Sequence, residues 1–136
     1  MLLNEFIKET HKNQMISTLL KHYNVSSVKT KMKSMKDHAY FNVDTGILEL
    51  SSRYKNIKSS QIKEFLITII HEIDHAIDAK KYGQKKFKEM YEFEMNLQVQ
   101  AGNDEYDDNE FEIKAEKFGQ NNWKKWHKQF KKEGLI

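Results

Sequence analysis

The sequence predicts an α+β fold: a short antiparallel β-sheet from the first half of the chain, a central helix carrying two histidines, and a second long helix near the end of the sequence. Three observations predict it. Residues 39–51, AYFNVDTGILELS, place two β-favouring runs around the turn residues Asp44, Thr45 and Gly46, the pattern of a hairpin. Ile69, Ile70, Ile73, Ala76 and Ile77 form the apolar face of a helix around HEIDH. Phe111, Ala115, Phe118, Trp126 and Phe130 share a helical stripe near the end of the chain.

The other elements follow in order. Leu3, Phe6, Ile7, Ile16, Leu19, Leu20 and Tyr23 stand at helical spacing over residues 2–23, as one helix or two ending near Asn24. Residues 28–33, VKTKMK, alternate, which adds a strand to the hairpin and gives three antiparallel strands. Ser59 or Ser60 is expected to cap the HEIDH helix, Glu64 suits its positive end, and Tyr82 and Gly83 stop it. Residues 85–101 contain YEFEMNLQV, which alternates like a strand. Its Glu, Met and Leu content, with Phe87, Met90, Tyr91 and Leu97, favours a helix. After the acidic loop GNDEYDDNE a last helix closes the fold, with Gly119 as a kink or break. The 136 residues contain no proline and five scattered glycines, so they read as a single domain, 1–136, without linker or repeat.

Composition narrows the chemistry. The chain has no cysteine, so disulfides and Cys-type zinc fingers are excluded, and a transition metal must be held by histidine and carboxylate. Lys+Arg 23 against Asp+Glu 20 leaves a net charge of only +3, and Arg53 is the one arginine, so bidentate guanidinium recognition is nearly absent. The N-terminus turns polar after Leu3 and no stretch approaches a membrane-spanning length, so a cytoplasmic protein is expected.

His71 and His75 sit one helical turn apart, where both imidazoles can reach one ion. Glu72 is rotated roughly 100° from His71. It is therefore placed to take a proton from a metal-activated water rather than to ligate. The alternative is a plain amphipathic helix with His71, Glu72, Asp74, His75 and Asp78 solvated on its polar side. A third ligand decides between them, since catalytic zinc usually takes three protein ligands. The metzincin pattern needs Gly at position 78 and His or Asp at 81; Asp78 and Lys81 exclude it. Downstream, NEFEIKAEKFG offers Glu112 and Glu116 one turn apart: Glu112 as ligand, Glu116 as acceptor from the distal nitrogen of a ligating histidine.

HEIDH together with ExxAExFG resembles the gluzincin plan, in which a second helix carries a glutamate ligand. It is similar to the small phage-type and minimal zincin metallopeptidases and to the peptidase domain of ImmA/IrrE regulators, over roughly Ile47–Gly119, about half the chain. The resemblance implies zinc held by His71, His75 and Glu112, Glu72 as general base, and Glu116 as the residue that orients a histidine. It implies a zinc metalloprotease acting on a protein or peptide, whose backbone adds as a strand to a sheet edge beside the cleft. Residues 47–52, ILELSS, are the candidate edge, with pairing inside the sheet as the alternative. The family usually adds a Tyr or His that stabilises the oxyanion. Tyr106 is the candidate here, and Tyr40, Tyr91 and His38 compete with it.

Charge is uneven along the chain: residues 104–116 hold seven acids and one lysine, residues 123–136 five lysines and one acid. The basic segment WKKWHKQFKKEG reads either as a solvated helix with Trp126 and Phe130 docked on the core or as a weak nucleic-acid contact. The second reading is shared with SprT-type proteases, whose third ligand is histidine; here that would have to be His127. A non-catalytic zincin-like binding domain is the remaining alternative, and the intact Glu72 argues against it.

Overall fold

Met15, Ile16, Leu19 and Leu20 recur at i, i+1, i+4 and i+5, which lays one buried stripe along α1, Glu9–His22. The computed structural model describes residues 6–136, so Leu3 lies outside the described residues. The helix is shorter than expected at its start. Phe6 instead bridges Lys58 in antiparallel fashion, and Ile7 N–H donates to the Ile57 carbonyl at 2.7 Å. It ends as expected at Asn24, whose φ of 61° turns the chain so that Val25 N–H reaches back to Leu20.

The strands are β1 (Thr30–Lys33), β2 (Ala39–Phe41) and β3 (Leu48–Ser51), in the order β1-β3-β2. The hairpin forms, with Tyr40 opposite Glu49. The expectation of three antiparallel strands fails at β1, which pairs parallel to β3 with Thr30 opposite Leu48. The reason is topological. A short connection makes β1 and β2 run in opposite directions, and β3, antiparallel to β2, is inserted between them. The sheet is therefore mixed. The same insertion overturns the candidate edge: β3 is paired on both sides and buried along its whole length, while β1 and β2 are the edges.

Helix α2 spans Ile62–Tyr82 and follows a 3-10 turn over Ser59–Gln61. Gln61 stands at the N-cap position in place of the expected Ser59 or Ser60, and its Oε1 accepts from Lys58 N–H at 2.9 Å. Gly83, at φ 87°, stops the helix. Phe65, Leu66, Ile69, Ile70 and Ile73 are fully buried at the centre of the core, each contributing about 1.5–3 kcal/mol of burial. Residues Gln84–Gln100 form α3, a helix as the composition favoured, and α4 runs Glu110–Lys132 from an Asn109 cap whose Oδ1 accepts from Phe111 N–H at 2.9 Å.

Gly119 does not break α4, which is continuous from Glu110 to Lys132. It marks where α4 lies against α2, since a Cβ there would stand 2.8 Å from the Ile67 carbonyl oxygen. Lys114 adds a polar clamp to the same interface, meeting the buried Asp74 at 2.6 Å and Asp78 at 2.9 Å. At the far end Trp126 Nε1 donates to Tyr23 Oη at 2.9 Å, fixing α4 on α1. Among the described residues no helix is long and apolar enough to cross a membrane.

Candidate metal centre

The polar side of the HEIDH helix is not solvated. His71, Glu72, Asp74, His75 and Asp78 are all buried, because α4 and β2 cover the face that a lone amphipathic helix would turn to water. The two imidazoles stand with ring centroids 5.2 Å apart. Both turn Nε2 toward one atom, Glu112 Oε1, at 2.8 Å from His71 and 2.9 Å from His75. Glu112 is 6 % exposed, and the ligand atoms of the three residues lie within 4.8 Å of one another. A buried triad with two imidazole nitrogens and one carboxylate oxygen converging on a point is consistent with a zincin-like site and has the donors a divalent transition metal takes.

Neighbouring groups fix these side chains. Glu116 Oε1 accepts from His71 Nδ1 at 3.0 Å while its Oε2 accepts from Gln120 at 2.9 Å, so α4 supplies both Glu112 and the carboxylate behind His71. His75 is oriented by ring contacts, 6.2 Å from Phe87 and 6.1 Å from Tyr91. Glu72 Oε1 accepts from Phe41 N–H at 2.9 Å, which ties it to β2, and its Oε2 lies 3.7 Å from His71 Nε2. Tyr91, from α3, donates its hydroxyl proton to Glu112 Oε2.

The electrostatics follow from burial and these partners. Burial opposes charge on His71, but hydrogen bonds to Glu112 and Glu116 and the nearby charge of Glu72 carry its pKa up to about 9. Burial also works against ionised Glu112, yet His71, His75 and Tyr91 hold its carboxyl well below the ordinary range. Glu72 moves the other way: burial raises its pKa, partly offset by His75, His71 and the Phe41 N–H. A buried carboxyl held beside two imidazoles and a second carboxylate has the geometry for proton transfer.

A cleft of about 550 Å³ opens over the triad, lined by His71, Glu72, His75, Glu112, Glu116 and Tyr106. All six residues singled out in the sequence thus meet in one place. Tyr106 is half exposed, on a loop whose turn is closed by Asp104 Oδ1 accepting from the N–H groups of Tyr106 and Asp107 at 2.8 and 2.6 Å. Tyr40, Tyr91 and His38 border the same cleft. Of these, His38 is engaged by Glu64 at 2.6 Å and by Arg53 at 2.8 Å, and Tyr91 by Glu112.

His127 lies 15 residues beyond Glu112 on the same helix, about 22 Å along its axis. It packs on Trp123 and is no third ligand.

Sequence reasoning missed two contacts. The Phe41 N–H on Glu72 carried no signal, since it is a backbone group. Tyr91 on Glu112 carried a faint one: Phe87 and Tyr91 are spaced four apart on the packed face of α3, as a tyrosine aimed inward would be.

No family model matches the chain, and no curated protein or solved structure does either. The functional reading therefore rests on the geometry of the centre itself.

Proposed function

We propose that the chain is a zinc-dependent metallopeptidase, with His71, His75 and Glu112 as the zinc ligands. The observation that carries the reading is the convergence of both histidine Nε2 atoms on Glu112 Oε1, with Glu72 buried beside them and facing the cleft. Bound zinc supplies Lewis acidity, lowering the pKa of a water toward about 7 and polarising the scissile carbonyl.

The chain's own groups do the rest. Glu72 accepts the proton of the attacking water and delivers it to the leaving amine. Glu116 holds His71 with Nε2 toward the cation and raises its basicity. Tyr106, at the cleft wall, donates to the oxyanion of the tetrahedral intermediate.

Strand β2 is the edge that receives substrate, which moves this role from residues 47–52 to Ala39–Phe41. In the hairpin, Asn42 N–H donates to the Ile47 carbonyl and the His38 carbonyl accepts from Ser51 N–H, so alternation turns the Ala39 and Phe41 peptide groups to the opposite side. That side meets Glu72 at Phe41 and offers Ala39 N–H and C=O to an added strand. Backbone pairing of this kind accepts proteins and peptides without demanding one sequence.

The lysine-rich face of α4 suggests a secondary, weak contact with nucleic acid. Lys117, Lys124, Lys128 and Lys131 fall on one outward stripe, opposite the buried Trp126 and Phe130. With Trp126 docked on Tyr23, phosphate neutralisation rather than base stacking by that residue is what this face provides.

Elemental analysis of protein purified without added zinc tests the reading: about one zinc per chain is expected, and a protein that neither retains nor takes up zinc contradicts it.

A further inference from the structure

Glu112 uses its two oxygens differently. Oε1 faces both histidines, while Oε2 accepts the hydroxyl of Tyr91. The tyrosine is well placed to hold that oxygen. Its ring is stacked on Phe111 at 6.1 Å and 30°, edge-on to His75 at 6.1 Å, and against the fully buried Phe87 at 6.1 Å. The hydroxyl is thus aimed from α3 across the site at a carboxylate borne by α4, and three rings restrict its movement.

We propose that Tyr91 is a positioning residue that commits Glu112 to offering a single oxygen, Oε1, to the cation. The inference rests on the metal reading above and adds a role for α3, the element that contributes no ligand. A carboxylate with both oxygens free chooses between one-oxygen and two-oxygen binding. An O–H donor on Oε2 removes a lone pair from that choice and fixes the carboxylate plane. With Glu112 limited to one oxygen, the three protein ligands fill three positions and leave room for water and a substrate carbonyl, the condition a catalytic site requires. Nothing in this role needs Tyr91 to touch substrate, which separates it from Tyr106.

The test uses Tyr91→Phe, which keeps the ring and removes only the hydroxyl, with Phe93→Leu, an exposed aromatic of the same helix, as the control. Cobalt(II) is the probe, because its visible absorption is intense when four-coordinate and weak when a further donor joins. Wild type and Phe93→Leu should give the intense spectrum, and Tyr91→Phe should lose much of that intensity and bind zinc roughly 10-fold more weakly in competition with a chelator. An unchanged spectrum in Tyr91→Phe, or an equal loss in Phe93→Leu, overturns the role of the hydroxyl.

A second measurement needs no variant. Infrared difference spectra of the wild type on zinc addition should show widely separated carboxylate stretches, the signature of one-oxygen binding; closely spaced stretches overturn the proposal even if Tyr91→Phe fails to fold. Failure of the wild type to take up either ion is a distinct result, which removes the metal reading and this inference with it.

Discussion

Gly119 of α4 rests against the backbone of Ile67 in α2, so closely that a Cβ would stand 2.8 Å from the Ile67 carbonyl oxygen. Ile67 lies four residues before His71, and Gly119 follows Glu112 and Glu116 by two turns and one turn. The contact therefore sets the distance at which the α4 carboxylates meet the α2 histidines. Gly119→Ala gains helix propensity of about 1 kcal/mol but forces the helices apart against backbone that cannot retreat, for a net destabilisation of about 1–2 kcal/mol. Chemical denaturation should record that loss together with weakened zinc binding. A stabilised variant with unchanged zinc affinity would show that the helices need not touch here.

The ligand set is separable by single substitutions. Glu112→Ala should lose most zinc at neutral pH, and His127→Ala should keep it, since His127 is about 22 Å away along α4. Glu116→Ala keeps all three ligands but removes the partner of His71 Nδ1, and should weaken zinc affinity by roughly 10- to 100-fold. Zinc retained by Glu112→Ala and lost by His127→Ala would reverse the assignment.

Metal-free protein should be pH-sensitive in a defined direction. The His71 pKa is raised from 6.5 to about 9 in the folded chain, so its stabilising contribution is complete below about 6.5 and is lost as pH rises through about 9. Chelator-treated protein should melt at a lower temperature at pH 9 than at pH 6.5. Zinc takes the place of that proton, so the loaded protein should lack this decline. A metal-free melting temperature that rises across the same interval would contradict the buried imidazolium–carboxylate pair.

Reversing Lys117, Lys124, Lys128 and Lys131 to glutamate should abolish weak association with duplex DNA at low salt. The wild type should lose affinity steeply with added salt, each phosphate contact contributing a slope of about 0.9 in the logarithmic plot. Salt-independent binding, or none by the wild type, would leave this stripe as the solvated face of an amphipathic helix.

The centre was legible in the sequence because its residues lie in two short helical segments. His71 and His75 share a face by spacing alone, and Glu112 and Glu116 repeat that spacing beside Ala115, which is fully buried. The sheet was only half legible. Alternation and the Asp44–Gly46 turn are local and predicted the hairpin, whereas the place of β1 beside β3 depends on the route of the chain between strands. The close approach at Gly119 was hidden for a related reason: a glycine that permits contact between helices looks the same in sequence as one that breaks a helix. Tyr91 was visible as an aromatic residue on α3, but its meeting with Glu112 joins residues 21 apart across a loop.

Glu72→Gln is the most direct test of the central claim. The substitution keeps every ligand and removes only the proton acceptor, so zinc content and folding should match the wild type while hydrolysis falls by roughly 10²- to 10⁴-fold. The measurement is the yield of newly created termini, by mass spectrometry, from a proteome-derived peptide library treated with each zinc-loaded protein. Abundant new termini with the wild type and near-background levels with Glu72→Gln are predicted; equal yields from the two proteins would contradict a metallopeptidase that works through this centre.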